Sequence, residues 1–233
     1  MQQPLIVPLL ALTMANDYIV PPCHEQLSIV AEDHSYLVIN KPSGLLSVPG
    51  RLAENSDSVI NRLLEKYDDI HIAHRLDLDT SGLMVLAKGK NALRELNWQF
   101  ERRQTYKEYT AVVYGLLEQD SGEIDLPLIC DWPNRPKQMV CHDTGKAAQT
   151  LFTVLKRHPD TFQTRVLLKP ITGRSHQLRV HMTALGHPIS GCDFYAHEAA
   201  LKQAPRLLLH ASLLRFSDPL SKQDVEICAA ADF

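Results

Sequence analysis

Strand follows strand in this chain with few helices between, and that succession limits the fold more than any other feature. Eight segments rich in Val, Ile, Leu, Tyr and Thr read as strands: 27–31, 36–40, 83–87, 108–114, 150–155, 162–169, 207–214 and 224–228. Three stretches carry helical periodicity. Residues 58–67 bring Ile60, Leu63, Leu64 and Tyr67 to one face behind a cap candidate at Asp57, and residues 91–103 do so with Leu93, Leu96 and Phe100. Residues 175–185 align Leu178, Met182 and Leu185 and stop at Gly186, with Pro188 beyond. A regular βαβ alternation needs a helix after nearly every strand, so the pattern predicts an α+β fold rather than a doubly wound parallel one. No Gly/Ser/Pro linker divides the chain; one domain is expected over 27–233, behind a poorly ordered tail at 1–26.

The charge balance is slightly acidic, −3 from 24 Lys+Arg and 27 Asp+Glu, which taken whole argues against nucleic acid. Locally it reads otherwise. Residues 131–182 hold nine basic and three acidic side chains, while residues 1–73 hold four and nine. The five cysteines, Cys23, Cys130, Cys141, Cys192 and Cys228, form no C-x-x-C pair and read as free thiols of a reducing cytoplasm. The apolar run Leu5–Leu12 lacks a preceding Lys or Arg, is broken by Pro8, and falls far short of the roughly 20 residues of a membrane span.

Chemistry concentrates in His74-Arg75-Leu76-Asp77-Leu78-Asp79-Thr80-Ser81-Gly82, four ionisable side chains in six residues ahead of an apolar strand. On composition alone these residues make a polar turn, with Asp79 or Ser81 capping its own backbone and Arg75 paired to Asp77 in solvent. The spacing of Asp77, Asp79, Ser81 and Gly82 also matches the start of a calcium loop, but Lys88 stands where the bidentate Glu is required. A third reading is a carboxylate nucleophile kept ionised by a guanidinium. Downstream, Pro170–Arg179 reads as strand, tight Gly173 turn and helix start, where backbone N–H groups with Arg174 and Arg179 offer a place for phosphate. In the Pro/Gly loop Asn40–Gly50, plain turn chemistry explains most residues and Lys41 is the one that could reach a phosphate. Tyr109, opening a strand after Lys107, reads as packing first and as a base-stacking or proton-handling residue second. His176 and His181 are five apart, not four, and no Cys pair supports zinc. No G-x-x-x-x-G-K-[ST], G-x-G-x-x-G or G-x-S-x-G is present.

The segment His74–Gly82 resembles the H-R-L-D-x-x-T-S-G signature of the RluA family of RNA pseudouridine synthases, and three other segments fall in that family's order: Asn40-Lys-Pro-Ser-Gly44, Tyr109 after Lys107, and Gly173-Arg-Ser-His-Gln-Leu-Arg-Val-His181. Leu126–Gln138 and Ala231-Asp232-Phe233 extend the likeness. The resemblance implies an α+β fold with a mixed, largely antiparallel central sheet flanked by helices and loops. It implies an isomerase that detaches a uridine base at N1–C1′, rotates it and reattaches it through C5, with neither metal nor cofactor. By motif position, Asp77 is the implied nucleophile, Tyr109 the base contact and Arg179 the ion-pair partner of Asp77. Arg75 would open the RNA, and Lys41, Arg174, His176 and Lys137 would line the RNA path. The implied partners are 23S rRNA and tRNA stem-loops, met by a cytoplasmic monomer. Many relatives carry a small RNA-binding module in front, which residues 1–26 are too short to form, so target choice is expected within the catalytic domain. The alternatives are a pseudouridine synthase acting on only one of these RNAs, a catalytically silent RNA-binding protein on the same fold, and a metal-dependent hydrolase using Asp77, Asp79 and nearby His residues. The need to take a base out of its stack fits a flipping side chain and a cationic path.

Overall fold

The computed structural model describes residues 18–233. In chain order the strands are β1 (Ser28–Glu32), β2 (Tyr36–Lys41), β3 (Ile70–Ile72), β4 (Ser81–Lys88), β5 (Tyr106–Tyr114) and β6 (Ser121–Asp125), followed by β7 (Leu128–Cys130), β8 (Gln138–Val140), β9 (Gln149–His158), β10 (Gln163–Pro170), β11 (Leu209–Ser217) and β12 (Asp224–Cys228). The helices are α1 (Val59–Leu64), α2 (Lys90–Glu101), α3 (Gln177–Ala184) and α4 (Glu198–Lys202). Ten strands share one sheet in the order β1-β2-β4-β11-β5-β10-β9-β6, with β3 added to β4 and β12 to β11; β7 and β8 form a separate hairpin. Every pairing is antiparallel except that of β4 with β11 at the centre. The sheet is thus mixed and mostly antiparallel, the α+β architecture that the scarcity of helices predicts.

Strand β4 shows how the sequence builds this centre. Its run Leu83-Met-Val-Leu-Ala87 is buried throughout because both faces are covered: Leu83, Val85 and Ala87 pack with Ala92 and Leu96 of α2, while Met84 and Leu86 pack with Val59 and Leu63 of α1. A third core cluster lies over β5, β9 and β10, where Val113, Phe152, Val166 and Leu168 meet Leu178 and Met182 of α3. Tyr109 of β5 packs against both the α1 and the α3 clusters, so it stands at their junction.

At that junction the parallel strands come unusually close. Gly82 has φ of +113°, and a Cβ there would sit 2.4 Å from the backbone N and O of Ala211. The terminal glycine of the His74–Gly82 segment is therefore a packing requirement. Ser81 beside it bonds across the same seam to His210 Nδ1 at 2.9 Å.

Two local expectations change. Helix α1 is capped by Ser58, whose hydroxyl accepts from Asn61 N at 3.4 Å, while Asp57 turns aside to pair with Arg62 at 2.6 Å. Of the tail expected at 1–26, residues 1–17 lie outside the described residues, whereas the stretch 18–25 is pinned to the domain. The Asn55 side chain accepts from Val20 N and donates to Tyr18 O, both at 2.8 Å, and Arg62 donates to Glu25 O at 2.6 Å.

Candidate active site

Residues His74–Thr80 form a loop ahead of β4, fixed along its length by neighbouring groups. His74 stacks on Phe100, ring centres 4.4 Å apart, and its Nε2 accepts from Val85 N at 3.1 Å. Burial, with Lys107 nearby, pushes this imidazole down to about 3, so it is neutral and carries its proton on Nδ1. Ser47 donates to Leu76 O at 2.7 Å, and Ser43 donates to Asp79 O at 2.8 Å. Gly44 N donates to Leu78 O at 3.0 Å.

Lys41 corrects an expectation. It is 0% exposed, and its ammonium donates to the carbonyls of Pro42 and Leu45 at 2.8 Å and of Leu78 at 2.9 Å. All three N–H donors are consumed, and none remains for a phosphate. Lys41 instead clamps the Asn40–Gly44 segment to the loop that carries Asp77.

Held from both sides, Asp77 projects between the two halves of the sheet with 30% of its side chain exposed. It pairs with Arg179 rather than with neighbouring Arg75: Arg179 Nη1 lies 3.5 Å from Asp77 Oδ2. Arg179 is 2% exposed, because five of the other seven residues of α3 are buried with it, so that helix offers no basic outer face. Its Nη2 donates to Asp193 Oδ1 at 2.5 Å and its Nε to Cys192 Sγ at 3.3 Å, and its plane lies over the rings of Phe194 and Tyr195. A buried guanidinium so fully engaged is a fixed charge, whereas Asp77 retains an open side.

The phenol of Tyr109 is pushed far above its ordinary range by burial first and by the Asp77 charge second. At neutral pH it is a protonated ring available for stacking and hydrogen-bond donation. The Asp79 carboxyl is pushed up by burial and by Asp193, against the pull of Arg179 and Lys41. It borders a cleft of about 520 Å³ lined also by Val20, Cys23, His24, Ser43 and Gly44.

Of the expected RNA-facing residues, Arg75 is exposed at the loop, and Arg174 is half-buried with Nε donating to Ala147 O at 3.1 Å. Lys137 lies in the turn of the β7–β8 hairpin, beside exposed Trp132 and the Arg135 guanidinium stacked over it at 4.8 Å. His176 joins the site directly, its Nε2 3.9 Å from Asp77 Oδ2 and its Nδ1 2.6 Å from Tyr195 OH. The phosphate cradle expected at the Gly173 turn is partly filled from within, since Gln177 Oε1 accepts from Arg174 N and from Thr172 Oγ1. The other histidines are dispersed: His181 bonds Thr150 and Leu126 O, His187 bonds Tyr114 O, and His210 bonds Ser81. Among the described residues no group of three His, Cys, Asp or Glu side chains forms a metal-binding set.

Sequence reasoning missed Asp193, Phe194 and Tyr195. They occupy a loop without periodic pattern, and the only available signal was an acid beside two aromatics just past Gly191-Cys192.

The family model described as RNA pseudouridylate synthase matches residues 35–184. The dual-specificity RNA pseudouridine synthase RluA of Vibrio parahaemolyticus is 58% identical over 216 residues, 91% of this chain and 86% of that protein. The protein of that name from Escherichia coli K12 is 54% identical over 213 residues, 91% and 97% of the two chains. Among solved structures, human RNA pseudouridylate synthase domain containing 1 superposes with a TM-score of 0.75 at 30% identity, covering 90% of this chain and 85% of that one. The chain that carries Asp77 against Arg179 belongs to the RNA pseudouridylate synthase family, in its RluA branch.

Proposed function

We propose that Asp77 is the nucleophile with which this RNA pseudouridine synthase isomerises uridines in stem-loops of both 23S rRNA and tRNA. The observation that carries the reading is the half-open Asp77 carboxylate backed by the buried Arg179 guanidinium, at the only parallel seam of the described sheet. In the isomerisation the N1–C1′ bond breaks with its electron pair leaving on the base. The base turns, C5 bonds to C1′, the C5 proton departs to solvent and N1 takes up a proton. A carboxylate serves by adding to sugar or base, or by removing a sugar proton. The protonated Tyr109 supports a role as ring contact and donor to the displaced base rather than as a phenolate base.

A base must leave its stack to reach this pocket, and exposed Arg75, two residues before Asp77, suits the space it vacates. Arg174, half-buried with its Nε on Ala147 O, and Lys137 in the β7–β8 turn are the further cations we assign to the RNA path. The Trp132–Arg135 pair beside Lys137 is a surface on which an unpaired base can stack. Two RNA targets are supported by the name dual-specificity borne by relatives 58% and 54% identical. We take residues 27–233 as the catalytic domain of a cytoplasmic monomer; the described cysteines are all free, and no described helix is long and apolar enough to cross a membrane.

The test is release of tritium from RNA labelled at uridine C5. Wild-type protein is expected to release it and Asp77→Asn to bind RNA without release. Release at the wild-type rate by Asp77→Asn would remove the assignment and leave a nucleophile elsewhere. Pseudouridine mapping in cells with and without the gene is expected to lose sites in both RNAs; loss in one alone would narrow the substrate range.

A further inference from the structure

We propose that His176 and Tyr195 are positioning residues for Asp77, joining the nucleophile to the turn end of the β7–β8 hairpin through a chain of oriented hydrogen bonds. The direction of each bond follows from the donors. Gln138 N is a backbone donor and gives its proton to Tyr195 OH at 2.8 Å. The Tyr195 hydroxyl has a single proton, and its second close polar partner is His176 Nδ1 at 2.6 Å. Tyr195 therefore donates to Nδ1, and the neutral imidazole carries its own proton on Nε2, the nitrogen that faces Asp77 Oδ2 at 3.9 Å. That last contact is longer than a hydrogen bond, as catalytic contacts often are before substrate closes the site.

The surroundings are built to hold this arrangement. His176 is the residue before α3 and adopts a left-handed φ of +53°, a conformation unusual for a side chain of this size. Its ring stacks on Phe194 at 5.7 Å and meets Tyr195 edge-on at 5.6 Å. The charged groups facing it are Asp77 on the His74–Gly82 loop, Arg179 on α3 and Asp193 on the loop that also supplies Tyr195. Burial keeps the imidazole below its ordinary titration range, against the pull of Asp77, with Arg179 assisting burial and Asp193 opposing it. A neutral His176 presents one N–H to Asp77 and leaves the carboxylate its charge. A protonated His176 would pair with Asp77 and blunt it.

The inference rests on Asp77 as nucleophile, so Asp77→Asn is measured alongside. Tyr195→Phe keeps the ring and removes the hydroxyl. It is expected to lower kcat by on the order of tenfold with KM for RNA close to wild type. Losing a bond made to the neutral imidazole raises the His176 titration, so the acid limb of its kcat profile is expected at higher pH. His176→Gln retains an amide N–H that can face Asp77 and is expected to keep more kcat than His176→Leu. Wild-type kcat and pH profile in Tyr195→Phe, or equal losses in the Gln and Leu variants, would overturn the positioning role. Activity in Asp77→Asn would overturn the reading beneath it.

Discussion

At the scale of single residues, the site depends on groups that never meet substrate. Lys41 is the clearest: replacing it with Met leaves the Pro42 and Leu45 carbonyls without donors, each costing about 1–3 kcal/mol, and leaves Leu78 O with Gly44 N alone. Lys41→Met is expected to lose stability in urea unfolding, and to lose tritium release further because the Asp77 loop is freed. At Gly82 a side chain would strike the Ala211 backbone, so Gly82→Ala is expected to cost at least about 3 kcal/mol by the same measurement. His74 gives a pH prediction. Its folded value of about 3 lies below the ordinary 6.5, so between these limits the unfolded chain binds the extra proton. Stability is therefore full above about pH 6.5 and falls as pH drops through the window, by up to about 1.4 kcal/mol per pH unit. Chemical denaturation of wild type and His74→Gln at pH 7, 6 and 5 checks this; the variant is expected to show the shallower loss. The roles of Lys41 and His74 were not legible in the sequence, because whether a cation faces an RNA or three of its own carbonyls depends on a loop 37 residues away.

At the scale of elements, legibility followed the density of apolar and β-branched residues. All eight expected strands and all three expected helices form, with ends shifted by a few residues. The strands β3, β6, β7 and β8 and the helix α4, each three to five residues long, were missed. Segments so short form by pairing with an existing edge or packing on an existing face, and their local propensity is too weak to announce them. The cap of α1 was misread by one position, since Asp57 and Ser58 are equally good capping types and only tertiary structure gives Arg62 to the first. Ser58→Ala is expected to cost about 0.5–1 kcal/mol and Asp57→Ala, an exposed pair, less. Thermal or urea unfolding of the two variants ranks them.

For the whole molecule, the basic block of residues 131–182 is not one face. Of its nine basic side chains, Arg179 is buried, Arg157 pairs with Asp120 at 2.7 Å and Lys169 sits over the Tyr106 ring. RNA binding is expected to weaken with salt by roughly 0.7–0.9 log units per phosphate contact for each tenfold rise, with a total slope well short of nine contacts. Lys137→Ala is expected to reduce that slope by about one contact and to leave kcat near wild type. Filter binding across a salt series measures both. The fold class was readable because it depends on how often strands follow strands. The parallel seam was not, since nothing in β4 or β11 names a partner 129 residues distant.

That seam also sets a timetable. A chain leaves the ribosome from its N-terminus, so the Lys41 clamp and the Asp77 loop emerge early, with β4 behind them. Arg179 follows Asp77 by 102 residues, with Tyr195 and then β11 behind it, and pairing across so large a loop is slow to find. Until it is found, Asp77 has neither its guanidinium nor the far wall of its pocket. A piece of the chain that carries Asp77 but stops short of Arg179 and β11 is thus expected to release no tritium from labelled RNA.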